Sequence, residues 1–335
     1  MSLVEKAASL NGVFDSIPIV NIGHASTPEE RAASALQIRD ACMNVGFFYV
    51  RNHGIPEEII DRVLSAMKAY FSLPIETKMK LYHREGANYR GYAPVLDSNI
   101  DSENKGDLFE GFVIGWEEQV FEEDDGKEAD ANTTIIPNLW PSEPAGFREA
   151  FVNYYHAAVG VRNVLFRLFA LALDLPETYF DDKNENPPTM RGHHYPPQTG
   201  CEDDYAFGIN AHSDFECFTI LWQEPGIQAL QVLNSDKQWI NAPPIPGTLV
   251  INIGDLLARW TNDVFRSTVH RVINKSGVRR YSIAMFVGID PRVRVEPIPS
   301  CISSERPPKY GPIFAGEHVR KRLNETYHRN ATLGD

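Results

Sequence analysis

The sequence predicts a mainly β protein with α-helices, in which a jelly-roll core is flanked by supporting helices. Short strand-like runs follow one another from Pro187-Pro188 to about Val295. Turn-forming pairs separate them at Pro225-Gly226, Asn234-Ser235 and Ser276-Gly277. Short strands at such spacing are typical of paired sheets that surround a cavity, whereas helical patterns occur before and after this stretch.

The first helical pattern begins with a complete set of start signals. Thr27 is suited to cap the helix and Pro28 to occupy its first turn, and Glu30 completes a capping box. Gly46 ends this helix, and a buried strand follows at once. Pro56 opens a second helix, whose apolar residues recur at helical spacing. These two helices are expected to cover the core.

Two further helices are predicted later in the chain. Apolar residues repeat at three and four positions over 147–173, which is the longest helical signal. The segment 314–327 shows a shorter pattern, in which Val319 and Leu323 are expected to face inward. Both segments are interpreted as supporting helices.

The 335 residues are expected to form one compact domain, 1–335, because barrels with helical additions often reach this length without dividing. Residues 14–120 are interpreted as an N-terminal region of helices and strands. Residues 186–295 are predicted to form the jelly-roll core, and residues 312–330 a C-terminal helix.

Composition and charge narrow the possible function classes. Hydrophobic residues make up 43% and charged residues 23%, which suits a globular protein with a sizeable core. The formal net charge of -13 disfavours a nucleic-acid-binding surface, which needs a basic stripe. No run of 18 uninterrupted apolar residues predicts a membrane span. We expect a soluble protein that binds neither nucleic acid nor membrane, and the choice between monomer and homo-oligomer stays open.

The cysteines favour a reducing, cytoplasmic location. They form no CxxC pair and lack the density of a disulfide-stapled secreted domain. The four residues are Cys42, Cys201, Cys217 and Cys301. We interpret the thiol of Cys217, near the strand discussed next, as a small buried side chain rather than a metal ligand.

A metal site is predicted from three residues. His212 and Asp214 are two positions apart, so they project to the same side of a strand. His270 lies in a second strand-like run and supplies a third ligand. Two imidazoles and one carboxylate on one face leave the opposite face of an octahedron open, as in non-haem Fe(II) oxygenases. Taken singly, each residue is more often a packed side chain, so a second observation is needed.

That second observation is the apolar strand from Arg279 to Phe286. Arg280 and Ser282 occupy alternate positions in it and therefore share one face. A buried guanidinium requires an anion, and its planar fork fits a carboxylate. Together with a phenol donor from Tyr195, these residues predict a receptor for the distal carboxylate of a small dicarboxylic acid.

The order of these motifs resembles the isopenicillin N synthase-like family of 2-oxoglutarate- and Fe(II)-dependent dioxygenases, which includes plant flavonoid and gibberellin oxidases and fungal relatives. The resemblance covers most of the chain and implies a double-stranded β-helix, or cupin-like, core. Its motifs are Ile17-Pro18-Ile19-Val20, Gly46-Phe47-Phe48-Tyr49-Val50, Asn52-His53-Gly54-Ile55-Pro56, Arg90-Gly91-Tyr92, Tyr195-Pro196-Pro197, His212-x-Asp214, Val250-Ile251-Asn252-Ile253-Gly254-Asp255, His270 and Arg280-x-Ser282.

The resemblance implies a reaction and a set of roles. Fe(II) is expected on the His-Asp-His triad, which is the predicted catalytic group. The co-substrate 2-oxoglutarate is expected to chelate the metal, with its distal carboxylate on Arg280, Ser282 and Tyr195. O2 is the second co-substrate, and succinate and CO2 are released while a small organic substrate of specialised metabolism is oxidised. Hydroxylation is the default outcome, and desaturation or ring rearrangement stays open.

The substrate pocket is less defined by the sequence. Four aromatic residues are candidates for its walls, each with core packing as the alternative interpretation. They are Tyr92, Phe109, Phe215 and Phe286. Plant members of the family read Asn-Tyr-Tyr-Pro where this chain has His193-His194-Tyr195-Pro196. Either histidine could replace the asparagine toward the co-substrate, contact the substrate, or pack.

Three other functions remain as alternatives at this stage. Relatives such as isopenicillin N synthase and aminocyclopropane carboxylate oxidase also resemble the Arg-x-Ser pattern but use no 2-oxoglutarate. A zinc hydrolase could use the same ligands, although it has no evident use for Arg280 and Ser282. A non-catalytic jelly roll that binds a small ligand is disfavoured by the complete triad.

Overall fold

A computed structural model describes residues 3, 12–23, 27–83, 89–97, 107–117, 137–198 and 208–327 of the chain. Within these ranges, no helix has the length and hydropathy that crossing a bilayer requires. Cys42, Cys217 and Cys301 are free and buried, whereas Cys201 lies outside the described residues.

Six α-helices are present in the described ranges. They are α1 (Pro28–Asn44), α2 (Glu57–Phe71), α3 (Ile75–Met79), α4 (Phe147–Ala172), α5 (Asp255–Trp260) and α6 (Ala315–Tyr327). Both sides of the capping box predicted for α1 are formed, since the Thr27 hydroxyl accepts from the Glu30 amide and the Glu30 carboxylate accepts from the Thr27 amide. Gly46 has a φ of 75° and its amide donates to the carbonyl of Ala41, so the chain leaves α1 through a left-handed residue.

The described strands number fourteen. They are β1 (Ile19–Asn21), β2 (Phe47–Arg51), β3 (Gly91–Ala93), β4 (Glu110–Ile114), β5 (Thr189–Tyr195), β6 (Ile209–His212), β7 (Phe218–Gln223), β8 (Leu230–Leu233), β9 (Trp239–Asn241), β10 (Thr248–Ile253), β11 (His270–Val272), β12 (Arg280–Val287), β13 (Arg294–Val295) and β14 (Ile313–Phe314). A large sheet has the order β1-β2-β10-β7-β12-β5-β4-β3, and a small sheet has the order β6-β11-β8-β9. Strands β13 and β14 pair separately. Except for the β1-β2 pair, neighbours are antiparallel, which confirms the predicted jelly roll.

The large sheet has two faces with different surroundings. Side chains alternate between the faces of a strand. On β2, Phe48 joins the apolar cluster that includes residues of α1, α2 and α4. Its neighbours Phe47 and Tyr49 join a smaller cluster with Val232 and Val272 of the small sheet. The helices therefore cover the outer face of the large sheet, and the inner face looks onto the small sheet.

The C-terminal helix corrects one detail of the sequence prediction. Leu323 is 40% exposed, so the expectation that it faces inward was wrong. The helix is anchored by Ala315, which is buried, and by Arg322, which forms an ion pair with Asp255 at 2.9 Å. Because Arg322 uses the inward side of the last turns, the adjacent leucine is turned toward solvent.

Candidate active site

The three predicted metal ligands converge between the sheets. His212 ends β6, Asp214 follows it in a loop, and His270 begins β11. His212 and His270 are direct register partners, with ring centroids 4.2 Å apart. One ligand atom from each of the three residues lies within 4.8 Å of the others. No other group of three or more such residues is found in the part of the chain that the structure describes.

Each ligand is oriented by its own hydrogen bonds. Nδ1 of His212 donates to the carbonyl of Asn210 at 2.7 Å, and Nδ1 of His270 donates to that of Thr268 at 3.2 Å. Both histidines therefore keep Nε2 for a metal, because a backbone acceptor on the other nitrogen fixes the tautomer. The Nε2 atom of His212 lies 3.7 Å from Oδ1 of Asp214.

The carboxylate of Asp214 is held from its other side. Its Oδ2 accepts from the Thr219 hydroxyl at 2.5 Å and from the Asn252 amide at 2.7 Å. Thr219 lies on β7 and Asn252 on β10, at positions that face each other in the register. The large sheet thus holds Oδ2, which leaves Oδ1 directed toward the histidines.

Burial and charge set the protonation of these groups. Burial by itself raises the pKa of Asp214, but the charges of His270 and His212 and the hydrogen bonds from Thr219 and Asn252 lower it below the ordinary value. Burial, assisted by the charge of His212, lowers the pKa of His270 to about 4. An ionised aspartate beside a neutral imidazole is the protonation state that a cation needs.

A second carboxylate ties the ligand loops together. Asp255 accepts from Ser267 at 2.6 Å through Oδ1 and from Ser213 at 3.1 Å through Oδ2. Its amide also donates to the carbonyl of Asp214 at 2.8 Å. Arg322 from α6 pairs with the same carboxylate. Asp255 therefore links the segments that carry Asp214 and His270 to the C-terminal helix.

The predicted carboxylate receptor lies on the inner face of the large sheet. Arg280 is fully buried, and its Nη2 donates to the Gln223 side chain at 3.0 Å. The Nε and Nη1 atoms of Arg280 and the hydroxyl of Ser282 are buried and have no hydrogen-bond partner. The Arg280 Cζ atom lies 4.8 Å from the centre of the Tyr195 ring. Among the described residues, no carboxylate forms an ion pair with Arg280.

The unpartnered atoms of Arg280 and Ser282 and the donor set of the triad decide whether 2-oxoglutarate and Fe(II) fit this site. Buried polar atoms are normally hydrogen-bonded, and two unpartnered guanidinium nitrogens beside an unpartnered hydroxyl require an acceptor. A carboxylate supplies such acceptors and the compensating charge. The donor set at the triad, with two nitrogens and one oxygen, likewise fits Fe(II) with open positions. The residues present therefore fit both groups.

The two adjacent histidines of β5 have opposite surroundings. His193 is 3% exposed, faces inward opposite Ser282, and its Nδ1 has no hydrogen-bond partner. Burial and then the charges of Arg191 and Arg280 hold the pKa of His193 well below its ordinary value. His194 faces the helices, where its Nδ1 contacts Oε1 of Glu110 at 2.7 Å.

The four aromatic candidates for the walls of the substrate pocket also lie in different surroundings. Phe109 is buried among the inner cluster, 5.0 Å from the ring of His193. Phe286 shares the inner face with Ser282 and is the register partner of Thr219. Tyr92 instead belongs to the helix-facing cluster and donates to Glu110 at 2.5 Å, so the structure does not bring it to the triad. Phe215 lies against Arg322, 4.9 Å from its Cζ atom.

The supporting residues were not identified from the sequence. Thr219, Gln223 and Asn252 are polar residues at alternate positions of otherwise apolar strands, which was the available signal. Asp107 and Arg191, which also lie near the triad, carried no motif. Their relevance depends on contacts between distant segments.

Comparisons with known proteins agree with this geometry. Residues 17–143 match the family described as "non-haem dioxygenase in morphine synthesis N-terminal", and residues 186–289 match the "2OG-Fe(II) oxygenase superfamily". The chain is 36% identical over 305 residues to the 2-oxoglutarate-Fe(II) type oxidoreductase hxnY of Emericella nidulans, covering 89% of this chain and 86% of the relative. It is 35% identical over 312 residues to azadirone synthase LFS of Melia azedarach, covering 90% of each.

A solved structure shows the same fold. A full-length Neurospora crassa protein, crystallised in complex with alpha-KG (2-oxoglutarate), superposes with a TM-score of 0.80 at 27% identity, covering 94% of this chain and 99% of that one. Its ligand is a dicarboxylic acid, the class of molecule for which the sequence predicted a receptor. The resemblance noted from the sequence is confirmed, and the chain belongs to the 2-oxoglutarate- and Fe(II)-dependent oxygenases, enzymes that use both groups.

Proposed function

We propose that this enzyme hydroxylates a small organic molecule of specialised metabolism and that His212, Asp214 and His270 are its iron ligands. The single observation that carries the proposal is the convergence of three ligand atoms within 4.8 Å of one another in a protein whose large sheet also carries a buried guanidinium with two unpartnered nitrogens. Relatives named as a plant synthase and as fungal oxidoreductases support a small organic substrate.

The protein's part in the reaction is to bind and to orient. His212 and His270 would bind Fe(II) through Nε2 and Asp214 through Oδ1, because the other atoms already have partners. These three ligands would leave coordination positions of the ion open for the co-substrates. When bound, Fe(II) and 2-oxoglutarate supply the oxidant that removes hydrogen from a substrate C-H bond, and the co-substrate leaves as succinate and CO2.

Co-substrate recognition is assigned to Arg280, Ser282 and Tyr195. The unpartnered nitrogens of Arg280 and the hydroxyl of Ser282 would donate to the distal carboxylate. Gln223 holds the remaining guanidinium nitrogen and so limits the rotation of the fork. The protein carries a formal net charge of -13, so the buried cation of Arg280 also provides a local region of positive potential that attracts an anion.

The walls of the substrate pocket are assigned to Phe109 and Phe286, which share the inner face with the co-substrate residues. Apolar walls that exclude water favour a reaction in which a reactive oxidant must meet only the substrate. A cytoplasmic location is proposed as well, supported by three free and buried thiols.

The proposed function is tested by loading the purified protein with Fe(II) or Zn(II) under nitrogen. The loaded protein is then assayed with and without O2 and 2-oxoglutarate. We expect succinate release that requires Fe(II), O2 and 2-oxoglutarate. Replacement Arg280→Gln should raise the KM for 2-oxoglutarate roughly 10- to 100-fold, since a hydrogen bond to a charged group contributes about 1.5–3 kcal/mol.

The matched control is Arg279→Gln, because Arg279 is the exposed neighbour of Arg280. Its KM for 2-oxoglutarate should remain that of the unaltered protein. Substrate oxidation without succinate release would instead indicate an Fe(II) oxidase of the same fold. Activity with Zn(II) would contradict the oxygenase mechanism.

A further inference from the structure

A second set of unpartnered polar groups lies on the inner face, outside the co-substrate receptor. Arg191, His193 and Tyr195 alternate along β5 and therefore share that face. Tyr195 pairs with Arg280 and His193 with Ser282, whereas Arg191 pairs with Ala284. Arg191 is thus displaced by about 7 Å along the strand from the Ser282 level, at roughly 3.4 Å per residue.

The side chain of Arg191 extends over Gly111 of β4. The register partners of Arg191 are Ala284 on β12 and Val113 on β4. A Cβ atom added to Gly111 would lie 3.2 Å from Cδ of Arg191. The methylene groups therefore occupy the space above Gly111, and the guanidinium is carried beyond it toward Phe109, with Cζ 5.9 Å from the ring centre.

Arg191 is half-buried, and one atom of its guanidinium lacks an acceptor. This atom is Nε, which is buried without a hydrogen-bond partner. Within the described ranges, no carboxylate forms an ion pair with it. Its charge acts on His193, which places it beside the inner-face histidine. A buried donor that the protein does not satisfy is expected to meet an acceptor from a ligand or from water.

Asp107 supplies the complementary group. It is fully buried just before β4, and its Oδ1 accepts from the amide and the side chain of Asn210, each at 2.9 Å. Asn210 shares the face of β6 that carries His212. The Oδ2 atom of Asp107 has no partner. Asp107 therefore presents one unpartnered acceptor next to the strand of a predicted metal ligand.

Asp107 and Arg191 do not satisfy each other. Asp107 and Arg191 are linked in space through Phe109, which follows Asp107 by two residues and whose ring centre lies 5.9 Å from the Arg191 Cζ atom. Yet no ion pair at 4.0 Å or less joins the aspartate and the arginine. Because Oδ2 of Asp107 and Nε of Arg191 are buried without partners, both atoms are desolvated and unsatisfied. A molecule between them could satisfy both.

We propose that Asp107 and Arg191 bind the organic substrate and that this substrate presents an N-H group beside a carbonyl or carboxylate oxygen. The N-H donates to Oδ2 of Asp107, and the oxygen accepts from Arg191. The inference rests on the proposed function, because the substrate must lie next to the metal site. Lactams, cyclic imides and amino acids share this chemistry.

The experiment measures ligand binding by calorimetry on protein loaded with Fe(II) and 2-oxoglutarate under nitrogen. The first arm compares 2-pyridone, succinimide and glutarimide with their N-methyl derivatives. The second arm compares the protein L-amino acids with their methyl esters. In at least one arm, we expect a parent compound to bind at least about tenfold more tightly than its derivative, which corresponds to one lost hydrogen bond.

Two substitutions connect this preference to the named residues. Asp107→Asn keeps the size of the side chain but can present an amide donor in place of Oδ2, so the preference for N-H over N-methyl should disappear. Arg191→Gln should abolish the preference for a free carboxylate or weaken the binding of the parent compound about tenfold. The controls Asp236→Asn and Arg279→Gln change exposed residues and should preserve both preferences.

The outcomes separate the two levels of the proposal. If 2-oxoglutarate does not bind to the Fe(II)-loaded protein, the proposed function fails, and this inference fails with it. If 2-oxoglutarate binds but no panel member does, or if both variants keep the parent preference, the inference alone is overturned. Retained binding of 2-oxoglutarate by Asp107→Asn and Arg191→Gln also shows that these variants are folded.

Discussion

Glu110 on the outer face of the large sheet and Arg280 on its inner face are buried charges in opposite situations. On the outer face, Glu110 accepts from Lys78 at 2.7 Å, from Tyr92 at 2.5 Å and from His194 at 2.7 Å. On the inner face, Arg280 and Ser282 retain buried atoms with no partner. His193 and His194, adjacent in sequence, belong to one face each.

This difference distinguishes residues that stabilise the fold from residues that bind a ligand. A buried charge that the protein itself satisfies contributes to stability and specificity, as Glu110 does. A buried donor that the protein leaves without an acceptor costs free energy until a ligand arrives. Residues of the outer face should therefore affect stability when replaced, and residues of the inner face should affect binding.

The largest expected effect follows from removing an inner-face imidazole. His270→Ala should weaken Fe(II) binding by more than about 100-fold, because loss of an outer partner alone costs about 10- to 100-fold. Succinate release should fall below detection. Metal affinity is measured by competition with a chelator.

The control for that prediction is His194→Ala on the outer face. It removes one hydrogen bond to Glu110 and should lower the free energy of unfolding by about 1–3 kcal/mol. Metal affinity should stay within about twofold of the unaltered protein. If both substitutions weakened the metal equally, the division between the faces would be refuted.

The next effect concerns stability and its dependence on pH. Glu110→Gln leaves Lys78 buried without a counter-charge, so the free energy of unfolding should fall by about 3 kcal/mol near pH 7. Burial raises the pKa of Glu110, but hydrogen bonds from His194, Lys78 and Tyr92 lower it overall below the ordinary 4.5. The unfolded carboxyl therefore binds more protons than the folded one just below that pH.

The sign of the pH dependence follows from this difference. The stability contributed by the ionised Glu110 is present above about pH 4.5 and is lost as the pH falls through the lowered folded pKa. The gap between the unaltered protein and Glu110→Gln should therefore narrow below pH 4.5, as measured by urea unfolding. A gap that widened on acidification would show that the carboxylate is not the stabilising partner.

The smallest of these effects concerns the support of Asp214. Asn252→Ala removes the hydrogen bond of 2.7 Å to Oδ2, and Thr219 retains the other. Fe(II) affinity should drop by about 10- to 100-fold, with little change in the KM for 2-oxoglutarate at saturating metal. The control is Asn241→Ala, at the exposed end of β9. An equal loss of Fe(II) affinity in this variant would mean that the effect does not depend on the hydrogen bond to Asp214.

The sequence predicted those features that local rules determine. The capping box at Thr27 and Glu30 formed, and the longest helical period became α4. His212 and Asp214 were recognisable because two residues of one strand share a face. Their proximity to His270 was accessible through the order of motifs, and the structure brings one ligand atom of each residue within 4.8 Å of the others.

The remaining features depend on contacts between distant segments. Strand alternation could not tell which face of β3 would meet the helices, so Tyr92 was a candidate for either the substrate pocket or the core, and the structure places it in the core, where it donates to Glu110. The hydrogen bonds of Asp214 join three strands or loops, and those of Asp255 reach α6. Periodicity carries no information on such pairings. The unpartnered Oδ2 of Asp107 and Nε of Arg191 likewise follow from the arrangement of distant segments, which residue spacing does not encode.

The contact between α6 and the ligand loop places a timing constraint on biosynthesis. Ser213, beside the predicted metal ligand Asp214, lies 3.4 Å from Arg322, yet 109 residues separate the two along the chain. At a ribosome speed of about 5–20 residues per second, roughly 5–20 s pass between their appearances. In the later part of that interval, after His270 has been synthesised, the nascent polypeptide contains both imidazoles and the aspartate but lacks the Arg322 guanidinium that pairs with Asp255. Iron that arrives before the last helix has been translated would therefore meet a site whose ligand loops are not yet held in place by that helix.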